Sequence, residues 1–159
     1  MELYFSHSLD LGEAVMLSVR VISIASNFCN GTEVSELDLS AFANLESFVV
    51  GESCFANVEK CFLVGLHKLE RVEIGGSSFV KSEYHPEDGI DTNRHFRLSD
   101  CENMKSLAIG GGSFLDYFVC EISNVPRLES IRFGTESGKC TGCFYWASIE
   151  LRSEGVFCV

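Results

Sequence analysis

The chain has 159 residues, 46% of them apolar, with 13 Phe, 8 Cys and 2 Pro and a formal net charge of −11. That length suits one domain with a substantial core, the apolar fraction excludes a wholly disordered chain, and the acidic balance argues against a binder of nucleic-acid phosphates. No apolar run approaches the roughly 18 residues of a membrane-spanning helix, so direct membrane insertion is not expected.

Residues 1–15 read as an N-terminal segment. The opening MELYFSHSLDLGEAVML has neither the basic start nor the long apolar core of a signal peptide. A weak first copy of a repeat follows, with Met16, Val19, Ile22, Ile24 and Ala25 in its slots. Four clear copies then superimpose: ANLESFVVGESCF (43–55), HKLERVEIGGSSF (67–79), ENMKSLAIGGGSF (102–114) and PRLESIRFGTESG (126–138). Their anchors Leu45, Leu69, Met104 and Leu128 are spaced by 24, 35 and 24 residues. Phe48, Val72, Leu107 and Ile131 follow the anchors, then Val50, Ile74, Ile109 and Phe133, then Gly51, Gly75, Gly110 and Gly134. Phe55, Phe79 and Phe114 close three units, and Gly138 stands at that position in the fourth. Upstream, apolar columns run through Phe42, Leu66, Cys101 and Val125, through Leu39, Leu63, Leu98 and Ile122, and through Leu37, Cys61, Phe96 and Cys120. Ile149 and Leu151 begin a further, truncated copy.

Each unit holds two short alternating stretches with strand character, too short to bury a face alone. Stacked on copies of themselves, they form parallel ladders over a continuous core. The recurrent glycine fits either a turn with positive φ or a close backbone approach. The sequence therefore predicts a mainly β fold with little helix: a leucine-rich-repeat-type solenoid of about five units, with parallel strand ladders, over residues 16–159.

The segments LESFVV, LERVEI, MKSLAI and LESIRF resemble the L-x-x-L-x-L strand of leucine-rich repeats. The unit length and the aromatic in IGGSSF and IGGGSF are similar to the BspA-like repeats of bacterial and protist surface proteins. Two departures stand out. Ser53, Ser77, Gly112 and Glu136 replace the asparagine that usually follows the strand, so an asparagine ladder is not expected there. The proline common after the strand is glycine here. The resemblance implies protein–protein interaction and an adhesive or surface role. The chain reads as cytoplasmic if complete, and a cell-surface location fits if it is a fragment.

Cys61, Cys101 and Cys120 share columns with Leu, Phe and Val and read as core thiols. Cys54 shares a column with Ser78, Ser113 and Ser137. Cys140-Thr-Gly-Cys143 is the sole C-x-x-C pair, without a second pair to complete a zinc site or a thioredoxin-like strand-to-helix context. Neither a nucleophile elbow nor a phosphate loop is present, so catalysis, metal and cofactor are not expected. A small thiol-redox or metal-binding protein using Cys140 and Cys143 is the alternative.

Binding remains. Ser47 and Val49, Arg71 and Glu73, Ser106 and Ala108, and Ser130 and Arg132 point away from the core and form a stripe on the expected concave face, the first candidate surface for a protein partner. Insertions near 81–93 and 139–146 offer a second, with Tyr84, His85, Tyr145 and Trp146 as contacts; both are read as following the phenylalanine column, and for Trp146 plugging the solenoid flank is the favoured role. Open solenoid ends further predict self-association.

Overall fold

The computed structural model describes residues 2–3, 13–81, 91–134 and 142–152. It is a β-solenoid of two parallel sheets, with one helical turn, α1 (Glu13–Met16). The first sheet contains β1 (Glu2–Leu3), β2 (Val21–Ile24), β4 (Ser47–Val50), β6 (Arg71–Ile74), β8 (Ser106–Ile109) and β10 (Ser130–Phe133), in that spatial order. The second contains β3 (Glu36–Asp38), β5 (Lys60–Val64), β7 (Asp91–Ser99), β9 (Tyr117–Ser123) and β11 (Ser148–Arg152). The chain alternates between the sheets, so each coil contributes one strand to each. Four complete coils separate Val21 from Ser130, paired at offsets of 26, 24, 35 and 24 residues. The L-x-x-L-x-L segments become the first sheet, and the upstream apolar pairs become the second.

Period-two alternation explains the burial. In β4 and β8 the second and fourth residues are buried and the others half-buried, as in a strand with one face on a core. The predicted columns meet between the sheets: Phe48, Val72 and Leu107 from one side, and Cys61, Phe96 and Cys120 from the other. The weak first copy belongs to the solenoid, because Val19, Ile22 and Ile24 are buried. Glu2–Leu3, inside the segment read as lying outside the solenoid, pairs with β2 and extends the first sheet.

The glycine column answers to close approach. An ideal Cβ on Gly75 would lie 2.5 Å from the Gly51 carbonyl carbon, and one on Gly51 would lie 2.5 Å from Ser26 N. Positive φ falls mostly on other residues. It recurs in three columns, at Asn27, Ser53, Ser77, Gly112 and Gly142, at Cys29, Phe55, Phe79, Phe114 and Phe144, and at Gly65, Asp100 and Asn124. This places Phe144, and not the position of Gly138, in the phenylalanine column. Its ring stacks on Phe114 at 4.8 Å, continuing the Phe55–Phe79 and Phe79–Phe114 stacks at 4.9 and 4.5 Å. The second insertion therefore precedes the column, between Gly134 and Gly142, whereas the first follows Phe79. Both still fall in the connection from the first sheet to the second.

A hydrogen-bond ladder flanks the ring stack. Cys54 Sγ donates to Ala25 O (3.1 Å), Ser78 Oγ to Gly51 O (2.9 Å), Ser113 Oγ to Gly75 O (2.7 Å) and Cys143 Sγ to Gly110 O (3.0 Å). Each bond ties one coil to its predecessor. At the opposite corner, asparagine amides do similar work: Asn44 Nδ2 donates to Leu17 O and Asn103 Nδ2 to His67 O.

Candidate functional site

The predicted stripe is assembled by the first sheet. Parallel pairing puts Ser47, Arg71, Ser106 and Ser130 in one column and Val49, Glu73, Ala108 and Arg132 in the next. All eight lie on the outer face, because the intervening positions carry the core residues. Most side chains are small, so the surface is low, with one charged feature at its centre where the Arg71 guanidinium pairs with the Glu73 carboxylate. That hydrogen bond and charge raise the pKa of Arg71 above its already high value.

Beyond the stripe, where the strands end, the surface falls into an open trough of about 500 Å³. The glycines Gly75, Gly76, Gly110 and Gly111 line it, with Glu52, Ser53 and Ser77 from the turns and Glu73, Ala108 and Arg132 from the stripe. Four successive coils contribute, and with strands about 4.8 Å apart the trough runs roughly 14 Å along the solenoid axis. Its openness follows from packing, since the close coil-to-coil approach that forbids a Cβ on Gly75 or Gly110 also leaves main chain bare where side chains would otherwise stand. The trough is therefore lined by main chain as well as by charged side chains. The sequence marked three of these lining residues through the stripe; the trough itself is a product of coil stacking.

The insertion surface is only partly assembled. Tyr84, His85 and Cys140 lie outside the described residues. Tyr145 and Trp146 are 66% and 40% exposed and meet edge-on at 4.9 Å. The favoured plug role for Trp146 goes instead to Phe144, which is 3% exposed.

The cysteines divide by position. Cys61, Cys101 and Cys120 are fully buried thiols, as their columns predict. Burial pushes Cys101 up to about 11 and Cys120 up to about 12, and Cys61 higher still. Cys143 is a rung of the coil-to-coil ladder. Among the described residues, no three His, Cys, Asp or Glu side chains group as a metal site requires, and no helix is long and apolar enough to cross a membrane.

One polar cluster escaped the sequence reading. Arg94, in β7, is fully buried, its Nε 3.4 Å from Asp116 Oδ2 and its guanidinium 4.8 Å from the centre of the Tyr117 ring. The Arg94 guanidinium donates to Phe79 O at 3.1 Å and to Ala56 O at 3.4 Å, and Tyr117 OH donates to Val58 O at 2.7 Å. Burial raises the carboxyl of Asp116, opposed by Arg94, and raises the Tyr117 phenol well above its usual value. These groups face main-chain carbonyls and ring faces, with Asp116 Oδ1 left unbonded. The arrangement ties the start of β7 to the core. Its only sequence signal is Asp116-Tyr117 standing where an earlier coil has Asn57-Val58.

No family model, curated protein or solved structure matches the chain.

Proposed function

We propose that this chain is a non-catalytic binding scaffold, a leucine-rich-repeat-type solenoid whose first sheet presents its outer stripe and the adjoining trough to an extended segment of a protein partner. The observation that carries this reading is the trough: four coils place bare glycine backbone and the charges of Glu52, Glu73 and Arg132 along one line of roughly 14 Å. At about 3.3 Å per residue, that line accepts four or five residues of extended polypeptide. Rigid placement favours binding, because coil-to-coil bonds fix the floor before a partner arrives and little order remains to be gained. The net charge of −11 favours a partner with basic character.

The resemblance of the strand segments to leucine-rich repeats supports the reading by analogy, and surface adhesion rests on that analogy alone. The alternative thiol or metal role for Cys140 and Cys143 loses ground because Cys143 Sγ donates to Gly110 O within the structural ladder.

Photo-crosslinking tests the proposal. A benzophenone side chain replacing Ala108 should capture a discrete partner band from native extract, and charge reversal at both Arg71 and Glu73 should diminish it. The same probe replacing Val119, on the outer face of the second sheet, should capture none of that band. Equal capture at both positions, or none at Ala108, overturns the assignment.

A further inference from the structure

The first two coils meet at a pair of sulfurs. After each strand of the first sheet the chain passes two recurring positions, one that supplies the rung of the coil-to-coil ladder and the next in the phenylalanine column. From coil to coil they read Phe28-Cys29, Cys54-Phe55, Ser78-Phe79, Ser113-Phe114 and Cys143-Phe144. A rung side chain reaches back to the coil before it. Ser78 Oγ accepts from Cys54 N–H, beside Phe55, and Ser113 Oγ accepts from Ser78 N–H, beside Phe79, each at 3.1 Å. By the same geometry Cys54 reaches the level of Cys29, the one such junction among the described residues where both positions are cysteine.

The backbone holds these two residues close. Phe55 N–H donates to Phe28 O at 3.3 Å, so the peptide after Cys54 is bonded to the peptide before Cys29. Coils about 4.8 Å apart, offset by one residue of about 3.3 Å, set the two Cα atoms roughly 6 Å apart. A disulfide bridges Cα atoms about 4.4–6.8 Å apart. Cys54 Sγ already leans into the first coil, donating to Ala25 O at 3.1 Å. Burial raises this thiol, opposed by the N–H groups of Phe28 and Asn27 aimed at the same sulfur; burial raises Cys29 too, and the nearby Cys54 adds to it. Elsewhere Phe96 separates Cys61 from Cys120 in their column, and Cys143 reaches back to the level of Phe114.

We propose that Cys29 and Cys54 are a redox clasp between the first two coils, open as the dithiol and closed as a disulfide, with a small-molecule disulfide as the oxidant. An S–S bond forms between the two residues and the S–S bond of the oxidant breaks. Two electrons pass to the oxidant, and the two thiol protons leave on its two thiol products. On closing, rotation of the Cys54 side chain carries its sulfur from Ala25 O toward Cys29, so a thiol hydrogen bond between coils gives way to a covalent link. The link encloses residues 29–54, with β3 and β4, and restricts the unfolded chain. It uses no side chain of the stripe or the trough and stands independently of the partner reading.

Oxidised glutathione added to the native 159-residue chain at pH 8 tests the clasp. Remaining thiols are then alkylated under denaturing conditions, and the peptides are weighed without reduction. Cys29 and Cys54 should appear in one linked species, lighter by two hydrogens than the separate peptides. The oxidised chain should melt roughly 5 °C or more above the reduced one, and dithiothreitol should reverse both changes. C54S keeps a hydroxyl on the rung, as Ser78 and Ser113 do, so it should fold; C54S and C29S should each lose the linked peptide and the oxidant-dependent shift. Both residues remaining thiols, glutathione retained on either one, a link from either to another cysteine as the main product, or a linked chain with an unchanged melting midpoint overturns the proposal.

Discussion

The phenylalanine stack makes a sharp demand at Phe114. Its ring is fully buried, sandwiched between Phe79 at 4.5 Å and Phe144 at 4.8 Å with near-parallel planes, and Tyr117 meets it edge-on at 4.8 Å. Phe114→Ala removes the whole ring from a site held open by four other aromatic side chains, Phe96 being the fourth at 5.1 Å. The cost should be about 3–5 kcal/mol for the cavity and lost transfer energy, with stacked pairs adding about 0.5–1.5 kcal/mol each. Against a total stability of about 5–15 kcal/mol that is roughly a quarter or more. The backbone provides a second, independent sign. Phe114 has φ of 55°, where a Cβ is penalised and glycine is not. Glycine ordinarily costs about 0.5–1 kcal/mol more than alanine in regular structure, but here the order should invert, with Phe114→Gly the more stable of the two. Phe55→Ala should cost less than Phe114→Ala, since Phe55 stacks on one ring and Phe114 on two. Urea unfolding followed by far-UV circular dichroism gives each difference, provided the denaturant slope is unchanged. A Phe114→Ala loss below about 1.5 kcal/mol, or alanine more stable than glycine by the usual margin, refutes the argument.

Three further outcomes follow from the same packing. Gly75→Ala should cost about 1–3 kcal/mol or more and Gly76→Ala clearly less, because the first Cβ meets backbone at 2.5 Å and the second meets only Gly111 O at 3.1 Å; equal midpoints in urea would contradict this. Native protein at pH 8 should leave Cys61, Cys101 and Cys120 unmodified by an aromatic disulfide reagent while unfolded protein reacts fully, and prompt native labelling mapped to any of the three would count against the core assignment. Because burial raises Asp116 despite Arg94, the folded state holds this proton more tightly than the unfolded one; the group's stabilisation is therefore present below the ordinary carboxylate pKa and lost as pH rises through the raised value. The stability advantage of wild type over Asp116→Asn should then shrink with rising pH above about 4, and an advantage that grows would show that the Arg94 charge dominates.

The fold was legible because stacking repeats a physical problem. Leu45, Leu69 and Met104 are fully buried at equivalent levels, so the same slot must be apolar in each coil and the sequence carries the period openly. The fourth phenylalanine was displaced from view by residues 135–141, which stand between Gly134 and the Gly142-Cys143-Phe144 that repeats Gly112-Ser113-Phe114. The glycine column was recognised, but its cause required coordinates, since a clash between a Cβ and the preceding coil is invisible along one strand. Of the candidate site, the stripe followed directly from alternation. The trough did not, because it lies at the strand ends where the shape depends on four coils at once. Arg94 was hidden for a different reason. It sits among Asp91, Thr92, Asn93 and His95, a polar stretch that reads as an exposed insertion, and only the bulge between Asp91 and His95 turns it inward.

The backbone conformations explain why no single coil can stand alone. Three recurring positions adopt φ near 50–73°, and most are not glycine: Asn27, Ser53 and Ser77 at one, Cys29, Phe55, Phe79, Phe114 and Phe144 at the second, and Asp100 and Asn124 at the third. A non-glycine residue in that region carries a cost of about 1–2 kcal/mol. What offsets it comes from the neighbouring coil. Phe79 N–H donates to Cys54 O at 2.8 Å and Phe114 N–H to Ser78 O at 3.0 Å, while each ring lies on the ring before it. The strain is local and its compensation is not, so the coils should unfold as a block, as nearest-neighbour coupling in a solenoid requires. An interior coil receives this compensation from both sides. The coil containing Phe144 takes part in the same coupling, its ring stacked on Phe114 and met by Phe96 and Phe133, so the shared stack spans every phenylalanine level from Phe55 onward.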